Sequence, residues 1–284
     1  MNRLKMIITI AILLIVVGLT GSIFAYRISA DTVQTQTEEV NGQNITNIVL
    51  DAENEQVELI PTSDSKIIIE SEGKGSNSDV EFTVKENEDT LEIQTEDNDF
   101  KLFTFNVFNW TNHLKVYVPK KMYQSVQIEI DNGSFHMNDL SIKDVKIRAK
   151  NGKIVLTDLI TTNTAAEANN GAIKLKNIDN EEIRINTNNG KIEMEEVQGD
   201  IIGKTDNGAI SLVTGNLDRS IDLQTRNGSI YIQTEKDPTN TTFDTSTHNG
   251  RVNLFDNPDW PVVTGDGNHL IKLSTHNGNI TVSK

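Results

Sequence analysis

The sequence predicts an all-β fold: a β-solenoid-like stack of strand-turn-strand repeats of about 19 residues, preceded by one N-terminal transmembrane helix. Three observations carry this expectation. Between Val126 and Lys284 the dipeptide Asn-Gly recurs eight times, at Asn132, Asn151, Asn170, Asn189, Asn207, Asn227, Asn249 and Asn277, with spacings of 19, 19, 19, 18, 20, 22 and 28. Recurrence at a steady period is the signature of a repeat architecture. After residue 30 no segment holds a sustained apolar stripe of helical period, whereas period-2 alternation is widespread. Met6 to Ala25 is a run of 20 residues without a charge, long enough to cross a hydrocarbon core of about 30 Å as a helix.

Composition narrows the function classes. Of 284 residues 36% are hydrophobic, only 5% are aromatic and none is Cys, a balance that suits many short strands. The lack of Cys excludes disulfides, a lipidated Cys and a thiolate metal site. The formal net charge is -15, and beyond residue 30 the chain carries 23 basic against 41 acidic residues, or -18. Such a surface disfavours nucleic acid, which is held by neutralising phosphates. It also disfavours direct attachment to anionic headgroups.

In chain order, residues 1–30 read as a cytoplasmic stub and transmembrane signal-anchor. Arg3 and Lys5 precede the apolar run, which places the N-terminus in the cytoplasm and the remainder outside. The expected location is thus the cell membrane, single-pass, with an extracytoplasmic C-terminal domain. A cleaved signal peptide is the rival reading. Its apolar region is normally shorter, and the cleavage sites on offer, Ile23-Phe24-Ala25 and Ile28-Ser29-Ala30, put Ile where a small residue is preferred. Residues 31–44 are a polar linker.

Residues 45–125 form an N-terminal β region or cap. Alternating pairs mark its strands: Ile48 and Leu50, Val57 and Leu59, Ile67 and Ile69, Leu91 and Ile93, then Leu114, Val116 and Val118. Turn-rich pieces such as Pro61-Thr62-Ser63-Asp64 separate them. Phe100 to Trp110 concentrates five of the 15 aromatics. This cluster either packs over the open end of the stack or offers a contact patch to a partner.

Residues 126–284 are the Asn-Gly repeat domain. With the Asn numbered n, positions n-4 and n-2 are apolar or Thr, as at Ile128 and Ile130 or Leu223 and Thr225. Positions n+3 and n+5 are apolar, as at Phe135 and Met137 or Ile210 and Leu212, and n+8 is apolar at Leu140, Leu159, Ile178 and Val197. Each repeat is therefore a strand, an Asn-Gly turn, a second strand and a looser turn, with one face of each strand inward. Asn and Gly both tolerate positive φ, which suits the turn. An antiparallel meander of hairpins and a stack of solenoid rungs both satisfy the pattern.

Two features favour the stack. Thr187, Thr205, Thr225, Thr247 and Thr275 all fall at n-2, an inward ladder of like residues. The outward n-1 column reads Asp131, Lys150, Asn169, Asn188, Asp206, Arg226, His248, His276, so stacking sets Asp131 beside Lys150 and Asp206 beside Arg226. Lys174 and Glu193 would meet in the same way. Eight rungs would span roughly 35–40 Å. The longest interval holds Asp256 to Pro261, including two prolines, and reads as an inserted loop or cap.

No catalytic, cofactor-binding or metal-binding residues are expected. The five His are His113, His136, His248, His269 and His276, without zinc spacing. Two Thr-His-Asn-Gly segments, Thr247 to Gly250 and Thr275 to Gly278, would bring His248 and His276 together on stacked rungs. Two imidazoles at a turn are too few for a metal site and read as surface groups able to titrate near pH 6.5. Gly-x-Ser-x-Gly and the calcium-binding repeat patterns are absent from the sequence.

Leu114 to Leu140, LKVYVPKKMYQSVQIEIDNGSFHMNDL, resembles the lead-in to the repeats of the bacterial putative-adhesin β-strand-repeat family, also called the toastrack domain. There a strand ending in Val-Pro leads into Gly-punctuated repeats. The N-terminal anchor is similar to that of membrane-bound, LiaG-like members, which are encoded with envelope stress-response components in Gram-positive bacteria. The resemblance implies a β-solenoid-like extracytoplasmic domain and a link to envelope stress, and it brings no catalytic residues. The expected function is a non-enzymatic, membrane-anchored β-repeat protein with a binding, sensing or adhesin-like role. Its partners would be the membrane, through the helix, and an envelope protein or cell-wall polymer. A polysaccharide-active enzyme on a β-helix and a purely structural spacer are the alternatives.

Overall fold

A computed structural model describes Leu14 and residues 33–74, 81–96 and 112–284. The Met6–Ala25 run, Leu14 apart, and the Phe100–Trp110 cluster lie outside the described residues. Among the described residues no helix is long and apolar enough to cross a membrane. Their regular elements are 20 strands in one continuous sheet. The first seven are β1 (Val33–Asn41), β2 (Asn47–Ala52), β3 (Glu55–Thr62), β4 (Lys66–Lys74), β5 (Glu81–Asn87), β6 (Thr90–Glu96) and β7 (Asn112–Pro119). Next come β8 (Met122–Asn138), β9 (Ser141–Ala168), β10 (Ile173–Asp179), β11 (Glu182–Asn189), β12 (Ile192–Val197), β13 (Asp200–Asn207) and β14 (Ile210–Thr214). The last are β15 (Ile221–Asn227), β16 (Ile230–Thr234), β17 (Thr241–Asn249), β18 (Val252–Leu254), β19 (His269–Asn277) and β20 (Ile280–Ser283).

Each repeat is one rung: a first arm, the Asn corner, and a second arm. Rungs pair in parallel with like residues over like. Ile128 lies beside Ile147, Asn132 beside Asn151 and Phe135 beside Ile154. The second arms continue the column as Ile173, Ile192, Ile210, Ile230 and Ile280. Parallel pairing between repeats excludes the antiparallel meander, whose neighbouring strands run in opposite directions. The core lies between the two arms' sheets. The inward residues Ile128, Ile147, Ile185, Leu223 and Leu273 of the first arms and Phe135, Leu156, Leu175 and Leu212 of the second are all fully buried. Burying one such side chain contributes about 1.5–3 kcal/mol.

The second corner uses a different device. Asp139, Asp158, Asn177 and Glu196, all at n+7, adopt φ of 53°, 53°, 52° and 49°. A left-handed residue breaks strict alternation and acts as a bulge. It therefore returns n+8 to the interior, and Leu140, Leu159, Ile178 and Val197 are buried. Asp and Asn tolerate that conformation better than bulky residues.

At the Asn corners three columns follow the stack, the innermost of them in five rungs. Outside, each Asn amide donates to the Asn carbonyl oxygen of the preceding rung. The chain of eight bonds links Asn54, Asn132, Asn151, Asn170, Asn189, Asn207, Asn227, Asn277 and Asn249 at 2.7–3.1 Å. In the corner itself the glycines sit against one another. A Cβ built on Gly152, Gly171, Gly190, Gly208, Gly228, Gly278 or Gly250 would lie 1.7–2.1 Å from the carbonyl oxygen of the preceding glycine. Inside, Thr187, Thr205, Thr225, Thr275 and Thr247 donate their hydroxyls to those same glycine oxygens at 2.8–3.1 Å. This corrects the expectation from turn chemistry. No corner Asn has positive φ, and only Gly133 and Gly278 among the corner glycines do, at 152° and 157°. Glycine is required by rung-to-rung contact.

Spatial order departs from chain order at both ends. The first rung, β2 and β3, is sandwiched between β8 and an outer rung made of β6 and β7. The last rung, β19 and β20, is inserted between β15 and β16 on one side and β17 and β18 on the other. Ten rungs result among the described residues, a stack of roughly 45 Å at about 4.8 Å per rung. The rung at Asn54 lacks the Asn-Gly signature because Glu55 replaces glycine, but Leu50, Ala52, Val57 and Leu59 occupy its inward positions.

Both ends are covered. Antiparallel β4 pairs with β7 and β1 with β4, while β5 pairs with β6. At the other end residues of the long interval cover the outermost rung. Phe243 N donates to Val262 O and Thr264 N to Thr241 O, both at 2.8 Å. Trp260 packs on Phe255 and Phe255 on Phe243, with ring centroids 4.0 and 6.3 Å apart. Asp218 ties the chain leading to the displaced outer rung. It accepts Thr239 N (2.8 Å), Thr239 Oγ1 (2.6 Å), Asn240 N (2.9 Å) and Thr241 Oγ1 (3.0 Å). Partial burial opposes ionisation of this carboxyl, but the four donors outweigh it and hold the pKa down at about 2.

Two predictions follow from the corner and the clamp. Gly190→Ala, whose Cβ would meet Gly171 O at 1.9 Å, is expected to lose about 3 kcal/mol or more in urea unfolding. Gly215→Ala, whose Cβ would meet nothing nearer than 3.7 Å, stays within about 0.5 kcal/mol of wild type; equal losses would contradict the contact argument. Asp218→Asn is expected to be less stable than wild type at pH 7. Because the folded pKa lies below the unfolded one, the carboxylate's contribution is complete above about pH 4. The gap between variant and wild type should therefore close as pH falls from about 4 to about 2 in a pH series of melts.

Candidate functional site

Alternation sends n-1, n-3 and n-5 of every first arm outward, so the first sheet presents one unbroken polar face. In spatial order the n-1 column reads Asp131, Lys150, Asn169, Asn188, Asp206, Arg226, His276, His248, following the rung order. Three of the hollows among the described residues lie along this face. One of about 340 Å³ is lined by Asp51, Glu129, Asp131, Arg148, Lys150 and Glu167. One of about 500 Å³ includes Gln127, Asp144, Lys146, Asn163 and Arg184. The largest, about 880 Å³, lies towards the C-terminal end and includes Asn188, Lys204, Gln224, Arg226, His276 and His248.

Electrostatics differ between the two ends. In the smallest hollow Lys150 pairs with Asp131 at 2.6 Å, and Arg148 bridges Glu129 at 3.7 Å and Glu167 at 3.1 Å. Asp51 is raised above the usual carboxylate range, by burial first and then by Glu129 and Asp131, with Lys150 opposing. These acids are thus largely satisfied by their own neighbours. Because the pairs are solvent-exposed, they contribute little to stability.

In the largest hollow the charges are less committed. His248 and His276 stack with ring centroids 4.7 Å apart and planes inclined by 3°, as the paired Thr-His-Asn-Gly segments predict. The swapped rung order then puts His276, not His248, beside Arg226: Asn227 is in register with Asn277. Asp206 and Arg226 occupy adjacent rungs, as expected, yet no ion pair joins them among the described residues. Ser246 and Ser274 bond each other at 3.1 Å along the floor.

The expected Asp131/Lys150 contact is therefore present. Lys174 and Glu193 are in register, but Glu193 takes Lys191 instead, while Lys176 takes Glu195, both at 2.6 Å. Sequence reasoning overlooked the n-3 column of the largest hollow, Asn186, Lys204, Gln224, Ser274 and Ser246. The signal was available, since that column is polar in every one of these repeats. No group of three or more His, Asp or Glu placed to hold a metal ion occurs among the described residues.

Solved structures share this architecture. A putative adhesin from Bacteroides fragilis is 14% identical, with a TM-score of 0.54 over 88% of this chain and 97% of its own. A putative adhesin from Parabacteroides distasonis is 10% identical, with a TM-score of 0.51 over 89% and 98%. At such identities the likeness is one of fold. No curated protein matches the chain. The family description Toastrack DUF4097 matches residues 45–283, from the buried Ile45 to the final strand, which takes in every rung of the stack. The chain belongs to the Toastrack DUF4097 family.

Proposed function

We propose that this protein is a non-enzymatic binding protein of the cell envelope, anchored in the membrane by Met6–Ala25 and displaying its β-stack outside the cell. Its role is adhesin-like or sensory and tied to envelope stress, as in LiaG-like members of the family. The observation that carries the reading is the unbroken outward face of the first sheet. Each rung adds hydrogen-bonding side chains at the same interval, so the surface repeats as a polymer repeats. A cell-wall polymer is a partner matched to that geometry. The fold relatives named as putative adhesins are consistent with it. The uncharged run after Arg3 and Lys5 supports the topology.

The absence of Cys in the chain makes the topology directly testable. Tyr231, exposed on β16, is replaced by Cys in the full-length protein. A membrane-impermeant maleimide is expected to label Tyr231→Cys in intact cells, and labelling only after lysis would contradict the arrangement. The same protein in nanodiscs is expected to co-sediment with purified wall sacculi without releasing sugar. Sugar release would favour the enzyme alternative. Unchanged sedimentation after combined Asn188→Ala and Gln224→Ala substitution would favour the spacer.

A further inference from the structure

The largest hollow has a chemistry that the rest of the outward face lacks. Lys204, Arg226, His276 and His248 stand on four successive rungs, those of β13, β15, β19 and β17. All four line the hollow, and the acid lining it is Asp206. Among the described residues neither Lys204 nor Arg226 is in an ion pair within 4.0 Å. The hollow is thus a cationic strip on a chain whose portion beyond residue 30 carries a formal charge of -18. Around the strip Gln224, Ser246, Ser274 and Asn188 supply neutral hydrogen-bonding groups.

The other charges facing the imidazoles are few. Lys272 on β19 lies in register between Asp222 of β15 and Asp244 of β17, one base between two acids. Arg251 follows the Asn249 corner, and its backbone N–H is taken by Asn279 Oδ1 at 3.0 Å. The stacked, nearly parallel imidazoles have Arg226 as the next member of their column. Protonating both places three positive groups in a row, which is unfavourable in an empty groove and favourable beneath an anion.

We infer that this hollow grips an anionic polymer of the envelope, one bearing a phosphate or carboxylate in each repeat unit, and that the His248–His276 pair makes the grip tighten on acidification. The inference rests on the binding reading above and deepens it by naming the ligand class. The sign follows from linkage. An anion favours the protonated pair, so affinity rises on acidification. Binding of a linear polyanion to such a strip also weakens with added salt, through counterion release.

The test uses full-length protein in zwitterionic nanodiscs with three soluble probes of similar length: poly(glycerol phosphate), polygalacturonate and neutral dextran. Affinities are measured at pH 5.5 and 7.5, with sacculi as a separate arm. At least one polyanion is expected to bind about tenfold more tightly at pH 5.5, and dextran to bind far more weakly than either. A preference for the phosphate or the carboxylate polymer identifies the source of the anion. Combined H248Q and H276Q should abolish the pH response. Arg226→Gln should weaken binding at both pH values. Ser246→Asp, which adds an acid without touching either imidazole, should do the same and serves if the double variant melts early. Equal binding of dextran, or an unchanged pH response in the folded double variant, would overturn the inference. Sacculi binding with neither polyanion bound would overturn it while leaving the binding reading standing; no binding to sacculi or polymers would remove both.

Discussion

The glycine carbonyl at each Asn corner is the point on which the stack depends. One oxygen accepts the hydroxyl of the next rung's inward Thr and also occupies the space in which that rung's corner residue would carry a Cβ. Gly190 O shows both roles: it receives Thr205 Oγ1 at 3.0 Å and stands 1.9 Å from a Cβ placed on Gly208. Outside the same corner, Asn207 donates to Asn189 at 2.8 Å. The three columns fix register residue for residue, because a slip of one position would put a side chain into the glycine column. Fixed register aligns Ile over Ile in the core and, on the opposite face, the side chains that line the hollows.

The same constraint gives meaning to the chain crossings at the two ends. A strand at the end of a stack has an unpaired edge, which invites association. Here the terminal rungs are interior, and the outermost ones are covered by β1, β4 and β5 at one end and by the loop around Val262 at the other. Inserting β19 between β15 and β17 has a second consequence. It places His276 between Arg226 and His248, which assembles the cationic strip from residues 50 positions apart in the chain. Architecture and candidate site therefore arise from one topological choice.

Much of this was legible in the sequence, and the reasons are physical. The period, the inward positions and the Thr ladder follow from alternation and like-over-like stacking, and all are present. The rung at Asn54 escaped notice because the count relied on Asn-Gly, and next to the outer rung the close approach that requires glycine gives way to Glu55. Rung order escaped because a period reports similarity between segments and not which similar segment lies alongside. The role of the corner was misread because Asn-Gly is more often a device for positive φ, whereas here glycine serves contact and Asn serves the amide ladder. Lys174 and Glu193 were correctly aligned but wrongly paired, since Lys191 reaches the same carboxylate from two residues away.

The most direct test of the account is the urea unfolding free energy of Thr205→Val. The substitution keeps the shape of a side chain that is 5% exposed and replaces its hydroxyl with a methyl group. Burial alone predicts a neutral or stabilising change, particularly since n-2 is Ile130 or Ala149 in other rungs. If the corner bond to Gly190 O holds the stack, the variant loses about 1–2 kcal/mol. Stability equal to or above that of wild type would contradict the claim that the corner columns, and not apolar burial alone, set the register.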